Sequence, residues 1–271
     1  MLWRRASGAA RKYKNMEIKD KNMNTENQKN IIYIIGIGPG NNETMTGQAI
    51  RAIEESDTIV GYPVYLKLIE GLTEGKEIIS TPMKQEVIRC RMAFEEAAKN
   101  KTVSIISSGD AGIYGMASLM FELLPEYPGT EIMVISGITA ATSGAAVLGA
   151  PLSGDFAVIS MSDLLTPFEI IEKRLKLTAE ADMVIVLYNP SSHRRKDYLK
   201  KACEIIKDFV PEDRACGYVR NIGREGEEAT VVTFKELHDA EVDMFTTVFI
   251  GNSASFIREG KMITKRGYSC N

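Results

Sequence analysis

Two α/β domains of similar size are predicted by three features of the 271-residue sequence. Short β-branched runs alternate with stretches of helical periodicity, the pattern of strands joined by crossover helices. Two of these runs end in glycine-rich turns, Gly36-Ile37-Gly38-Pro39-Gly40 and Ser107-Ser108-Gly109-Asp110-Ala111-Gly112-Ile113-Tyr114-Gly115-Met116. After Gly137 the texture changes to a small-residue segment, then to a second set of strand and helix patterns.

The elements follow in order. Residues 31–36 form the first apolar run, suited to a strand buried on both faces of a sheet. Thr44 or Thr46 can cap a helix reaching Glu55. Residues 57–60 are a second strand, followed by an amphipathic stretch over 62–70. A third strand spans 77–80, and over 84–99 Val87, Ile88, Arg91, Met92 and Glu95 recur at helical spacing. Strands at 102–107 and 131–135 complete a parallel sheet with crossover helices. Beyond Gly137, residues 139–148 read as an alanine-rich helix that lets a neighbour approach closely, and Gly149, Pro151, Ser153 and Gly154 end it. Strands are expected at 156–161, 183–188, 215–219, 229–233 and 245–250, with helices at 167–178 and 196–207. Pro167 sits near the start of the first of these helices. The expected division is a disordered basic leader at 1–30, one domain at 31–137 and another at 138–271.

Composition narrows the chemistry. Of 33 Lys/Arg and 36 Asp/Glu, residues 1–30 hold eight and three, which leaves 25 against 33 and an acidic body. Such a body is poorly matched to nucleic acid. The leader has no apolar centre and fails as a signal peptide; it reads as a tail, with Met16 or Met23 as alternative starts. No apolar stretch approaches the length of a membrane span. Cys90, Cys203, Cys216 and Cys270 are scattered without a C-x-x-C pair, and His193 and His238 are the only histidines, so no metal site is expected. The scattered thiols suit a reducing, cytoplasmic setting. No G-x-S-x-G elbow marks a serine hydrolase.

The first glycine turn superficially matches a dinucleotide loop. It lacks the third glycine, places Pro39 where amides are needed, and has Gly61-Tyr62-Pro63 where an acidic ribose ligand would stand. A Walker lysine is absent too.

Taken in order, the segments resemble the tetrapyrrole (precorrin) methylases from Ile31 to Tyr268. The resemblance rests on Ile35-Gly-Ile-Gly-Pro-Gly40 with Thr46, Val60-Gly-Tyr62 with Tyr65, Ile79-Ser-Thr-x-Met83, the 107–116 turn, Gly137-Ile-Thr-Ala140 and Leu148-Gly-Ala-Pro-Leu152. It continues through Asp155-Phe156, Ser160-Met-Ser-Asp-Leu-Leu-Thr-Pro167, Tyr188-Asn-Pro190, Asp243-Met244, Gly251-Asn252 and Thr264-Lys-Arg-Gly-Tyr268. The 107–116 turn, the Ser-Asp-Leu-Leu-Thr-Pro segment and the closing Arg-Gly-Tyr look specific to the precorrin-3B (or cobalt-precorrin-3) C17-methyltransferases of cobalamin synthesis.

The resemblance implies two α/β domains of the tetrapyrrole methylase type, with S-adenosylmethionine in the interdomain cleft. It also implies methyl transfer to C-17 of a tetrapyrrole with ring contraction, and a homodimer. By position, Gly38, Pro39, Ser108, Gly109, Asp110, Ile113, Thr139, Ala140, Tyr188 and Asn189 would bind the cofactor. Asp110 and Tyr114 would be catalytic, with Asp155 and Asp163 as further proton carriers. Local cations must meet the acidic macrocycle; the candidates are Arg194 and Arg195 with Lys196, Arg220 with Arg224, and Lys265 with Arg266. Methylation at another ring carbon, or tetrapyrrole binding without turnover, are the alternatives. Read locally, Asp110 can be a turn cap, Thr139 an N-cap, and Tyr188-Asn189-Pro190 a turn. Ser136, Pro82, Pro63 and Gly154 depart from the family pattern of proline, glycine, lysine and histidine.

Overall fold

The computed structural model describes residues 30–192 and 195–268. His193, Arg194, Cys270 and all of the expected leader except Asn30 lie outside the described residues. The first sheet contains β1 (Asn30–Gly36), β2 (Thr58–Gly61), β3 (Glu77–Ser80), β4 (Val103–Ser107) and β5 (Thr130–Ile135). All pairings are parallel, in the order β3-β2-β4-β1-β5. Its helices are α1 (Gly47–Glu55), α2 (Pro63–Lys67), α3 (Glu86–Ala97) and α4 (Ala117–Leu123).

The period of two along β1 explains the layering. Ile32 and Ile34 join Val103 and Ile105 beneath α3 and α4, whereas Ile35 joins Ile59 and Ile106 beneath α1. Both faces are covered, as the continuous apolar runs require. Because β1 and β4 are neighbours whose following helices lie on opposite faces, their carboxyl ends open a crevice at the reversal point of the sheet.

Of the two threonines weighed as caps, Thr46 takes the role and accepts from Ala49 N at 3.1 Å; Thr44 closes a 3₁₀ turn capped by Asn41. The conspicuous stripe on α3 faces outward, with Val87 and Ile88 47% and 51% exposed. Its buried face is Cys90, Ala93, Phe94 and Ala97, with Phe94 stacked on Tyr127 at 4.3 Å. Helical spacing alone fits both faces, and the small residues of the true core face stand out less.

The chain then enters α5 (Ala140–Leu148), the two-residue β6 (Gly149–Ala150) and the second sheet. That sheet comprises β7 (Phe156–Ser160), β8 (Val184–Tyr188), β9 (Ala215–Arg220), β10 (Glu228–Thr233) and β11 (Thr246–Ile250), ordered β10-β9-β11-β8-β7. Only β7 and β8 pair in parallel; the other neighbours are antiparallel. Helix α5 covers one face through Ala141, Ala145 and Leu148, and α6 (Phe168–Glu180), α7 (Tyr198–Ile206) and α8 (Phe234–His238) cover the other.

Strands β12 (Ser255–Arg258) and β13 (Lys261–Thr264) form a hairpin that pairs with β6. Its two-residue turn, Glu259-Gly260, has positive φ at both positions, the type I′ geometry. No helix among the described residues is long and apolar enough to cross a membrane.

Candidate functional site

The turns after β4, β1 and β5 converge at the carboxyl edge of the first sheet. A Cβ on Gly137 would lie 2.2 Å from the Gly109 carbonyl oxygen and 2.5 Å from that of Gly36. Three main chains therefore touch where no side chain could fit. Gly38 N donates to Gly109 O at 3.0 Å and Gly109 N to Gly38 O at 2.7 Å, both glycines having positive φ.

Asp110 binds the turns together. Its Oδ1 accepts from Gly112 N at 2.8 Å, and its Oδ2 accepts from Ser136 Oγ and Gly137 N, each at 2.9 Å.

Above these turns, facing the second sheet, is a cavity of about 210 Å³. Pro39, Ser108, Gly109, Asp110, Ile113 and Tyr114 line it from the first half of the molecule, with Thr139 and Ala140 at the start of α5 and Tyr188 and Asn189 after β8. Gly38 stands behind this wall through its pairing with Gly109. Residues brought together from segments so distant in sequence thus share one space.

The tyrosines fix its geometry. Tyr188 is half-buried at the end of β8, and its hydroxyl accepts from Ala141 N at 2.7 Å while sharing a short hydrogen bond with the Thr139 hydroxyl. It thereby caps α5 across 47 residues of chain, while Thr139, in the N-cap position, makes no side-chain cap of its own. Burial raises the Tyr188 hydroxyl above its ordinary pKa. Tyr114, with φ of 55°, reaches from the glycine turn to β7: its hydroxyl donates to Val158 O and accepts from Ser160 N, both at 3.1 Å. Since β7 is an edge strand, this hydroxyl satisfies ladder groups that would otherwise be open on that side.

Three lining segments were not singled out as cofactor contacts from sequence. Tyr65 follows β2, Asn221, Ile222 and Arg224 lie in the turn after β9, and Met244 and Phe245 lead into β11, whose first residues Thr246 and Thr247 complete the wall. The glycine-bearing turn 221–226 at the end of a strand was the available signal.

Of the anticipated macrocycle cations that the structure describes, Arg224 lines the cavity, and Arg195, Arg220, Lys265 and Arg266 do not. Arg195 Nε is 2.6 Å from Asp163 Oδ1, whose Oδ2 accepts from Tyr198 at 2.6 Å. Arg220 is 3.5 Å from Asp243 and 3.8 Å from Glu228. Lys265 lies over the Phe256 ring, and Arg266 is exposed beyond β13. Asp155 is exposed beside β7 and does not line the cavity either.

Sequence comparison adds a family. Residues 31–238 match the model of the Tetrapyrrole (Corrin/Porphyrin) Methylases. A cobalamin biosynthesis protein CbiHC of Archaeoglobus fulgidus is 47% identical over 88% of this chain, and the chain spans 53% of that relative's length. A probable cobalt-factor III C(17)-methyltransferase of Salmonella typhimurium is 42% identical over 88% of this chain and is matched over 100% of its own length. The solved structure of the methyltransferase CobJ superposes with a TM-score of 0.81 at 36% identity, covering 86% of this chain and 99% of that one.

Proposed function

The chain belongs to the tetrapyrrole (corrin/porphyrin) methylases, and we propose that it transfers the methyl group of S-adenosylmethionine to C-17 of a precorrin-3B or cobalt-factor III type macrocycle, with contraction of the ring, in cobalamin synthesis. The observation that carries this reading is the cavity over the three glycine turns, in a chain 42% identical along the full length of a relative named for that reaction.

The lining suits an amphipathic nucleoside with a charged tail. Ile113, Met244 and Phe245 offer apolar surface, the Gly109 and Ala140 main chain offers close approach, and Arg224 offers positive charge. Bound there, the cofactor would supply a sulfonium methyl on a good leaving group. The acceptor is an electron-rich ring carbon, so the protein needs no nucleophile of its own. Its work is alignment and exclusion of water, worth on the order of 7–11 kcal/mol when near-attack geometry is reached.

The residues support that role. Asp110 has its oxygens committed to three donors and orients the two turns rather than abstracting a proton. Tyr114 closes the flank against β7. Tyr65 and Tyr188, both raised by burial, keep their protons through neutral pH and stand as neutral polar groups in the cavity wall.

The test is mass spectrometry after incubation with S-adenosylmethionine and either cobalt-factor III or precorrin-3B. A product carrying one additional methyl at C-17 is expected. Methylation at another ring carbon would reassign the position; cofactor binding without product would leave a tetrapyrrole-binding protein. We assign the protein to the cytoplasm as a homodimer, and sedimentation equilibrium at micromolar concentration tests the assembly.

A further inference from the structure

Arg224 belongs to the turn after β9, yet its side chain crosses to the first half of the molecule. Nε donates to the Pro39 carbonyl at 2.9 Å, and Nη2 donates to Ser108 Oγ at 2.8 Å. Its stem passes over Gly40, where a Cβ would stand 2.3 Å from Arg224 Cγ. The last glycine of the Gly-Pro-Gly turn thus makes room for an arginine from the other half. The Phe245 ring lies 5.9 Å from the guanidinium carbon.

These contacts occupy one edge of the guanidinium, made by Nε and the adjacent Nη2 proton. The other edge, Nη1 with the second Nη2 proton, is the fork that receives a carboxylate through two parallel hydrogen bonds. Arg224 lines the cavity and, among the described residues, makes no ion pair. Burial pushes its guanidinium down from its usual pKa, the mark of a cation withdrawn from water without a counter-charge. Arg89 is still more buried, 4% exposed, but donates through Nε and Nη2 to Thr81 Oγ1 and to the Thr81 and Pro82 carbonyls. Arg224, unlike Arg89, lines the cavity, and its hydrogen bonds to protein use only Nε and one Nη2 proton among the described residues.

We infer that Arg224 is the carboxylate receptor of the cavity: the free edge of its guanidinium binds a carboxylate of the ligand, while the occupied edge ties the second half of the molecule to the Pro39 and Ser108 turns. The inference rests on the methyl-transfer reading, which offers two sources of that group, the amino-acid tail of the cofactor and an acetate or propionate arm of the macrocycle.

Calorimetry separates them with two probes, S-adenosylhomocysteine and 5′-methylthioadenosine, which lacks the amino-acid tail. If the tail is bound, Arg224→Ala weakens S-adenosylhomocysteine by about tenfold or more and leaves methylthioadenosine unchanged. If a macrocycle arm is bound, S-adenosylhomocysteine affinity holds while the KM for the macrocycle rises by a similar factor with a smaller change in kcat. Arg224→Lys restores charge without the fork and recovers only part of either loss. Should the alanine variant fold poorly by circular dichroism, Arg224→Lys and Arg224→Gln provide the same comparison. Affinities and KM within twofold of wild type in a folded variant would overturn the inference and leave Arg224 as a latch. A wild-type chain that neither binds S-adenosylhomocysteine nor methylates a macrocycle would overturn the methyl-transfer reading, and this inference with it.

Discussion

The Ser136 hydroxyl donates to Asp110 Oδ2 at 2.9 Å, beside the Gly137 amide that reaches the same oxygen at the same distance. Ser136 stands where the resemblance to the family leads to the expectation of proline, which would offer neither hydroxyl nor amide. Asp110 therefore joins the turn after β4 to the turn after β5, and the serine strengthens that joint. An aspartate that motif reading places at the chemistry is, in this geometry, the residue that keeps two walls of the cavity in register.

Removing the two partners should have unequal effects. Ser136→Ala loses one partly solvated hydrogen bond and should cost about 0.5–1.5 kcal/mol in urea denaturation, with little change in S-adenosylhomocysteine affinity. Asp110→Ala orphans three donors at once and should cost more, with cofactor affinity falling by about tenfold or more in calorimetry. Equal effects from the two variants would remove Asp110 from its joining role.

Gly137 and Gly154 offer a sharper steric contrast. A Cβ on Gly137 collides with two carbonyl oxygens of the rigid main chain, so Gly137→Ala should destabilise by about 3 kcal/mol or more. A Cβ on Gly154 meets nothing within 4 Å, and Gly154→Ala should leave the thermal midpoint unchanged. Differential scanning calorimetry of both variants decides it. A tolerated alanine at 137 would mean that the three turns can separate.

The parallel sheet was legible because its strands are continuous β-branched runs punctuated by glycine, and the cavity wall because its residues sit in turns directly after those runs. The inner face of α3 was not, since Cys90, Ala93 and Ala97 draw less notice than the solvent-facing Val87 and Ile88. The β12–β13 hairpin was not read from the sequence: its strands are short and pair with β6, a contact over 100 residues of chain that no local pattern announces. Which of the anticipated cations face the cavity was not legible either, for a related reason: Arg224 does and Arg195 and Arg220 do not. Charge clusters such as Arg195 and Arg220 are visible in sequence, whereas their neutralisation by Asp163 and Asp243 is visible only in the fold.

Tyr114 should report on the cavity flank without large changes in stability. In Tyr114→Phe the ring remains near Tyr188, 5.7 Å between centroids, but Ser160 N and Val158 O lose their shared partner. Hydrogen exchange read by NMR should show the Ser160 amide exchanging faster, while amides in the centre of β8 keep their protection. Unchanged protection at Ser160 would mean that the edge of β7 is closed by something other than this hydroxyl.

The Asp163 cluster gives a pH dependence of defined sign. The hydrogen bond from Tyr198, then the charge of Arg195, hold the Asp163 carboxyl below the usual carboxylate range, against the opposing effect of burial. In the unfolded chain the same group titrates at about 3.9. Because the folded value is the lower one, the stabilisation is complete above about pH 4 and is lost as pH falls through the folded value. The same hydrogen bond raises Tyr198, so the proton between them stays on the tyrosine across the neutral range. Both members of the ion pair are partly exposed, and the effect should be modest and weaker in high salt. The comparison to make is wild type against Asp163→Asn in urea denaturation from pH 8 downward. Their difference in stability should be level between about pH 8 and pH 5 and should shrink in acid, because protonation of Asp163 leaves the wild type with the same neutral partner as the variant. A difference that instead widened in acid would require the folded protein to bind the proton more tightly than the unfolded chain, which a carboxylate held by a phenol and a guanidinium does not do.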